Sequence, residues 1–383
     1  MSPARTLPES SFKFGAIVTG IDLNDISDED VAKLKEAIWR YKVIVVKGQE
    51  NMQPIKQWEL VTRLDPDAPK VHSHGNTKDF EKRGGLLSNG REVVSIPGAP
   101  NVRLIAAGYQ GDIYGVKDLT VKGLSLDFHA SKPSDEEFEK GNTRFQRWHI
   151  DAPMYERHPA WFTTLRCIKL PTGPDVTINW DNETGYAMKS KPGRTAFFSN
   201  FQLYELLNDE EKKMCDNSWV EYAPHPYMWI ENCKANSNGL GLVTQGKEHT
   251  LAELPEIDPA KIKKYPFVWI NPVTREKALQ VHGIIARRLF IKKTPDSEME
   301  IIDDIIKIRE RLADLQTRIL KPEYIFLAPV EEGDIGMWDN FGMFHTAVPY
   351  PTSYGPRTMH QANVGASSSP KSVRPMPVEV AGA

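Results

Sequence analysis

Apolar residues at three- and four-residue steps mark the helices of this chain, and shorter apolar or alternating runs mark the strands between them. Val31, Leu34, Ile38 and Trp39 form one face of a helix that opens at Ser27, an N-cap with Asp30 three positions on. The run "KVIVVKG" that follows reads as a buried strand closed by Gly48. A second helix is expected in "SNFQLYELLNDEEKKMC", with Leu203, Leu206 and Leu207 on one side. A third is expected over 296–320, where Ile301, Ile305, Ile308, Leu312, Leu315 and Ile319 fall on one face that packs on a sheet. Strand patterns appear at "NVRLIAAG", "RFQRWHID" and "WFTTLRCIKLP". "VTINWDNETGYAM" reads as a hairpin turning at Asp181–Asn182, and "YIFLAPV", "DIGMWDN", "FHTAVPY" and "RTMHQANVGAS" close the series. Residues 64–100 and 109–143 are rich in Pro, Gly, His and charge and read as long loops.

Many short strands with a few flanking helices predict a mixed α+β fold on a β-sandwich or jelly-roll core, in one domain over residues 1–366. The tail 367–383 lacks periodicity and is expected to be mobile. No Gly-rich phosphate loop follows a strand, which weighs against a nucleotide-binding α/β fold. Composition narrows the function classes. The 383 residues carry 48 Lys and Arg against 51 Asp and Glu, a net charge of −3, so nothing favours a nucleic-acid or anionic-membrane partner. Three cysteines without C-x-x-C spacing suit a reducing compartment, and the opening residues show no apolar signal-peptide core, so a cytoplasmic protein is expected. Self-association is left open.

The candidate chemistry begins with "RWHIDAPMY". His149 and Asp151 are the chain's one H-x-D pair and contribute to no H-x-E. With ten histidines such a pair arises easily by chance, and polar residues of an ordinary strand are the alternative reading. Residues i and i+2 of a strand share a face, so both side chains can enter one cavity. A facial triad on Fe(II) needs one more histidine from a distant strand and leaves positions open for cosubstrate and O₂. His345 is the best candidate, because a strand opening with Arg357 follows it. Alternation puts Arg357, Met359, Gln361 and Asn363 on one face of that strand, and a face with Arg, Gln and Asn is not ordinary core. The Arg fork suits a carboxylate. His72 and His74 in "VHSHG" are a rival metal pair, although a solvated or lid loop is the simpler reading there. Phe341, Met343 and Phe344 are candidates to line an apolar pocket.

With His149-x-Asp151, "EEGDIGMWDNFGMFHTAV" and Arg357 in this order, nearly the whole chain resembles the taurine dioxygenase-like (TauD/TfdA-type) Fe(II)/2-oxoglutarate-dependent oxygenases. The resemblance implies a double-stranded β-helix (jelly-roll) core, an Fe(II) centre on His149, Asp151 and His345, and 2-oxoglutarate held by Arg357 and Thr195. It implies oxidation of a substrate C–H by O₂ with conversion of 2-oxoglutarate to succinate and CO₂. Within the family, "TRFQRWHID", "VEYAPHPYMW", "LAELPEID" and the Arg357…Gln361-x-Asn363 spacing are most similar to the fungal xanthine dioxygenases. That likeness implies a purine substrate touched by Lys122, Gln361 and Asn363 with help from Glu137. Amino acids and secondary metabolites are the alternative substrates of the same chemistry. A catalytically silent jelly-roll binding protein is the alternative of another class.

Overall fold

The computed structural model describes residues 5–6, 14–74, 95–123, 126–180, 184–243 and 245–382. Strand β1 (Ala16–Val18), helix α1 (Asp28–Tyr41), strand β2 (Val43–Val46) and helix α2 (Pro54–Leu64) come first. A long hairpin of β3 (Ala99–Ile113) and β4 (Val116–Val121) follows, then the short helix α3 (Asp135–Glu139). Next are β5 (Phe162–Lys169), β6 (Val176–Asn179), β7 (Ala187–Ser190) and β8 (Thr195–Ser199). After β9 (Trp219–Tyr222), β10 (Ala286–Ile291), β11 (Glu300–Ile302) and helix α4 (Ile305–Gln316), the chain ends its ordered strands with β12 (Phe326–Leu327), β13 (Ile335–Asp339), β14 (Met343–Ala347) and β15 (Arg357–Ala362).

The result is a mixed α/β fold. Its main sheet runs β1–β2–β13–β5–β15–β3, with β4 hairpinned onto β3. Strands β13, β5 and β15 occupy its middle, so their residues are covered by neighbours on both edges. A second sheet, β12–β8–β14, packs beside it. The two share an apolar cluster in which Val43 and Trp338 of the main sheet meet Phe197, Phe326 and Met343 of the second. Phe197 and Trp338 rings lie 5.3 Å apart, edge to face. Helix α1 forms as its pattern predicts: Ser27 accepts from the Asp30 backbone N–H, and Val31, Leu34, Ile38 and Trp39 are buried.

Several expectations change. Residues 109–121 are not loop: β3 continues to Ile113 and pairs with β4 through two register shifts at Gly111. Gly108 and Gly111 have positive φ, so bulges re-aim the strand, and their glycines conceal it in the sequence. The segment 144–150 is extended but joins the second sheet by the His149–His345 bridge rather than by a full ladder. The helix expected over 296–320 starts at its Asp304 cap; Glu300–Ile302 pairs with β10 instead, which leaves Ile301 exposed. Strands β6 and β7 do form the expected hairpin, while its turn residues Asp181 and Asn182 lie outside the described residues. The tail beyond 366 is laid on the domain rather than free of it. Lys371 accepts from Ile270, Lys264 Nζ donates to the Val380 carbonyl at 2.8 Å, and Val380 is buried with Trp219 and Phe290. One apolar anchor holds it, without any period to announce it. Phe341, Met343 and Phe344 are core residues and do not line the cavity described below. Among the described residues, no helix is long and apolar enough to cross a membrane.

Candidate active site

Four strands of the main sheet (β13, β5, β15 and β3) and strands β8 and β14 of the second contribute to the walls of a cavity of about 400 Å³. Register builds one wall: Leu165 on β5, Gln361 on β15 and Arg103 on β3 lie side by side across adjacent strands, and all three face the cavity. Thr195 and Ala347 are paired across β8 and β14 and line the opposite side.

His149 and His345 are joined backbone to backbone. Each N–H donates to the other's carbonyl at 3.0 Å, which brings their rings to 4.2 Å between centroids. Asp151 follows one residue after Ile150, whose side chain is buried in the core, so the i, i+2 alternation holds. The backbone of Asp151 is clamped by Asn340, which accepts from its N–H at 2.9 Å and donates to its carbonyl at 3.0 Å. One ligand atom from each of His149, Asp151 and His345 lies within 4.8 Å of the others.

The donor set fits a divalent iron. His149 Nδ1 is 2.9 Å from the Arg147 carbonyl, so Nδ1 carries the proton and Nε2 keeps its lone pair for a metal. Burial holds both imidazoles below the usual histidine range and hence neutral. Burial alone would push the Asp151 carboxyl up, but the histidines around it, His345, His74 and His149, hold it well below the ordinary carboxylate range. Two neutral nitrogens and one carboxylate with open space beside them suit Fe(II).

Behind the carboxylate stands a chain of donors. Thr163 Oγ1 donates to Asp151 Oδ2 at 2.8 Å, Asn363 Nδ2 donates to Thr163 at 3.2 Å, and Ser73 Oγ donates to Asn363 Oδ1 at 2.6 Å. Gln361 Nε2 also reaches Asp151, at 3.2 and 3.3 Å. On the far side, Arg357 is 2 % exposed. Its Nε donates to the Gly193 carbonyl at 2.8 Å and its Nη2 to Thr195 Oγ1 at 3.3 Å. Gly193 has φ +73, and a Cβ there would lie 2.8 Å from Pro171 and 3.4 Å from Arg357, so a glycine is needed for this approach.

The structure thus brings His149, Asp151, His345, Arg357, Thr195, Gln361 and Lys122 to one cavity, Lys122 from its exposed edge. It does not bring two others there. Glu137 is exposed on α3, where its carboxylate caps Ser134. Asn363 is fully buried against Thr163 and Ser73, one residue past the end of β15, and does not line the cavity. His72 is buried and the His74 side chain is only 6 % exposed, rather than in a solvated loop, and His74 Nε2 stands 4.0 Å from Asp151 Oδ1. Sequence reasoning overlooks Arg103, Arg147 and Tyr227, which also line the cavity. The readable signal for Arg103 is a lone charge inside the apolar strand "NVRLIAAG". Burial pushes Arg103 down to about 10, which leaves it charged at neutral pH.

Comparison with known proteins agrees with this geometry. The family described as "Taurine catabolism dioxygenase TauD, TfdA family" matches residues 4–363. The chain is 42% identical over 370 residues to the alpha-ketoglutarate-dependent dioxygenase bsc9 of Alternaria brassicicola, covering 95% of this chain and 93% of that one. It is 35% identical over 368 residues to the alpha-ketoglutarate-dependent xanthine dioxygenase xan1 of Schizosaccharomyces pombe, covering 95% and 88%. The solved structure of AAD-2 in complex with Mn(II) and N-oxalylglycine superposes with a TM-score of 0.53 at 19% identity, covering 96% of this chain and 99% of that one, a likeness of fold.

Proposed function

Because the chain belongs to the TauD/TfdA family of dioxygenases that use Fe(II) and 2-oxoglutarate (alpha-ketoglutarate), we propose that it oxidises a C–H bond of a small polar molecule, over a single jelly-roll domain whose walls are the two sheets described above. The observation that carries the reading is the meeting of the His149–Asp151–His345 donors with the buried Arg357 in one cavity. Bound iron and 2-oxoglutarate supply the oxidising chemistry: the keto acid and O₂ become succinate and CO₂, and the second oxygen atom goes to the substrate.

The protein's own residues position and shield. His149, Asp151 and His345 hold the metal on one side and leave the other side to ligands. Arg357 takes the distal carboxylate of 2-oxoglutarate through its fork, while Thr195 offers it a hydroxyl. Trp338 and Leu165 line the same cavity and exclude water from the reacting groups. Anaerobic addition of Fe(II) and 2-oxoglutarate should produce a weak visible charge-transfer band. A folded wild-type protein that gives none defeats the reading.

Xanthine, converted to urate, is the first substrate to test. It is supported by the likeness to xan1 and by Lys122 and Gln361, an amine and an amide that match purine donors and acceptors. The second reading, an amino acid or secondary metabolite, is supported by the positions of Glu137 and Asn363 away from the cavity. It also draws on the higher identity to bsc9, whose name specifies no purine. A screen of succinate release over xanthine, other purines and amino acids separates the two. Xanthine turnover no higher than the substrate-free background ends the purine reading.

A further inference from the structure

The space between the two sheets also holds a second, smaller cavity of about 20 Å³, room for one small molecule. Leu165, Thr195 and Trp338 line both cavities, so the two adjoin at these residues. Phe197 and Trp338 flank the ring of His345, with centroids 6.0 and 4.8 Å from it, and both line the smaller cavity. Its other side is bounded by Leu170 and Val330, half-buried residues just beyond the ends of β5 and β12. It thus lies between the outer edge of the protein and a candidate metal ligand.

Of the twelve described residues that line it, eight carry apolar side chains and two are glycines. An ordered water needs about two to four polar partners. Thr195 Oγ1 already accepts from Arg357, and Arg194 Nη2 donates to Glu331 at 2.5 Å. Of the lining's side-chain donors, Arg194 Nη1 and Trp338 Nε1, on opposite sheets, are left without a partner among the described residues. Such a lining suits an apolar guest better than a water. Gly336 accounts for the space. It sits inside β13, a central strand whose five residues are all buried, where a glycine weakens the strand. Its φ is not positive, and a Cβ there would meet, among the described residues, Val330 Cγ2 at 3.4 Å and the Leu165 carbonyl at 3.8 Å, ordinary contacts. Neither the backbone nor crowding demands a glycine, so what its missing side chain preserves is the cavity.

We propose that this smaller cavity admits dioxygen and holds it beside the metal site, apart from the larger cavity that takes substrate and cosubstrate. The proposal rests on the oxygenase reading and adds a binding site for its gaseous reactant. Dioxygen is a small apolar diatomic and gains from leaving water for an apolar space, whereas the apolar partition of Leu165 and Trp338 opposes the passage of water.

The first measurement uses the full-length protein without metal. A crystal pressurised with xenon, an apolar probe, should show an atom between Gly336, Val330 and Trp338, and Gly336→Ala, which places a methyl group there, should lose it. The second adds Fe(II) and saturating 2-oxoglutarate anaerobically and mixes in nitric oxide, a diatomic probe whose uptake by iron changes the colour. Its association rate, by stopped flow, should fall about three- to tenfold in Gly336→Ala. The charge-transfer band, the 2-oxoglutarate dissociation constant and the urea midpoint should stay as in wild type. Adding Val330→Ala to that variant reopens the space and should restore both xenon and rate. An empty wild-type cavity under xenon overturns the proposal, as does a nitric oxide rate in Gly336→Ala within about 1.5-fold of wild type. A slower rate accompanied by weaker 2-oxoglutarate binding also overturns it and makes the cavity part of the cosubstrate's support. Absence of the band in wild type refutes the oxygenase reading, and the dioxygen assignment with it. Xenon missing beside an intact band refutes the assignment alone.

Discussion

Replacing Thr163 by Val tests how far the donors behind Asp151 govern the metal site. The substitution keeps shape and removes one hydroxyl. That hydroxyl donates to Asp151 Oδ2 at 2.8 Å and accepts from Asn363 at 3.2 Å, and Thr163 is fully buried. Two effects oppose each other. Without the donor, the carboxylate becomes more basic, which favours a cation. It also loses the contact that fixes its plane toward His345, whose Nε2 is 3.8 Å from the same oxygen. A hydrogen bond to a charged group is worth about 1.5–3 kcal/mol. Comparable partners of metal ligands change affinity by about 10- to 100-fold when removed. Gln361 still touches both Asp151 oxygens, so the lower end applies. We expect the Fe(II) dissociation constant, measured anaerobically by competition with a chromophoric chelator, to rise about tenfold. Thr163→Ser should recover most of it. Separately, the stranded Asn363 amide should cost the metal-free protein about 1–3 kcal/mol in urea unfolding. An Fe(II) affinity within twofold of wild type, in a protein that shows the stability loss, would refute the reasoning and leave Thr163 a packing residue.

Four further outcomes follow. His149→Ala and Asp151→Ala should each abolish the charge-transfer band; its persistence would move the metal elsewhere. Arg357→Met should raise the KM for 2-oxoglutarate on the order of 10²-fold, the scale of truncating one side of a buried charge pair, with the metal affinity unchanged. Burial holds His360, whose Nε2 contacts the Tyr114 hydroxyl, down to about 4. The folded state thus takes up this proton later than the unfolded chain, whose histidine titrates near 6.5, and stability contributed by the neutral ring is lost as pH falls through that window. From pH 6.5 to 5 the loss is about 2 kcal/mol, and His360→Gln should remove that part of the slope in urea unfolding followed against pH. Asn340→Ala removes both clamps on the Asp151 backbone and should weaken Fe(II) binding at least as much as Thr163→Val, read by the same chelator competition.

The meeting of the proposed metal residues is legible in sequence because their local rule is simple. An extended segment keeps residues i and i+2 on one side, and His149 and Asp151 obey it even though that segment forms a bridge rather than a ladder. The same rule misplaces Asn363. Alternation assumes that the strand continues, but β15 stops at Ala362, and Asn363 turns to Thr163 and Ser73. Glu137 is legible in hindsight, since Ser134 and Glu137 have the spacing of a capping box. The acidic run there reads first as charge. Arg103 is legible as a lone charge in an apolar strand, but its place in the cavity is not. Its facing depends on the β3–β15 register, set by strands more than two hundred residues apart. His74 misleads for a related reason: Pro, Gly and His around it signal solvent, while tertiary packing against Asp151 buries it.

The mutual backbone bridge between His149 and His345 also orders events in time. The two residues are separated by just over half the chain, so the proposed ligand set cannot assemble until synthesis has passed His345 and the second sheet has closed. At about 5–20 residues per second, the ribosome takes roughly 10–40 s to cover that interval. Throughout it, the nascent chain carries His149 and Asp151 without their partner. With these ligands, iron would enter a protein whose last strands are already in place rather than guide an unfinished one.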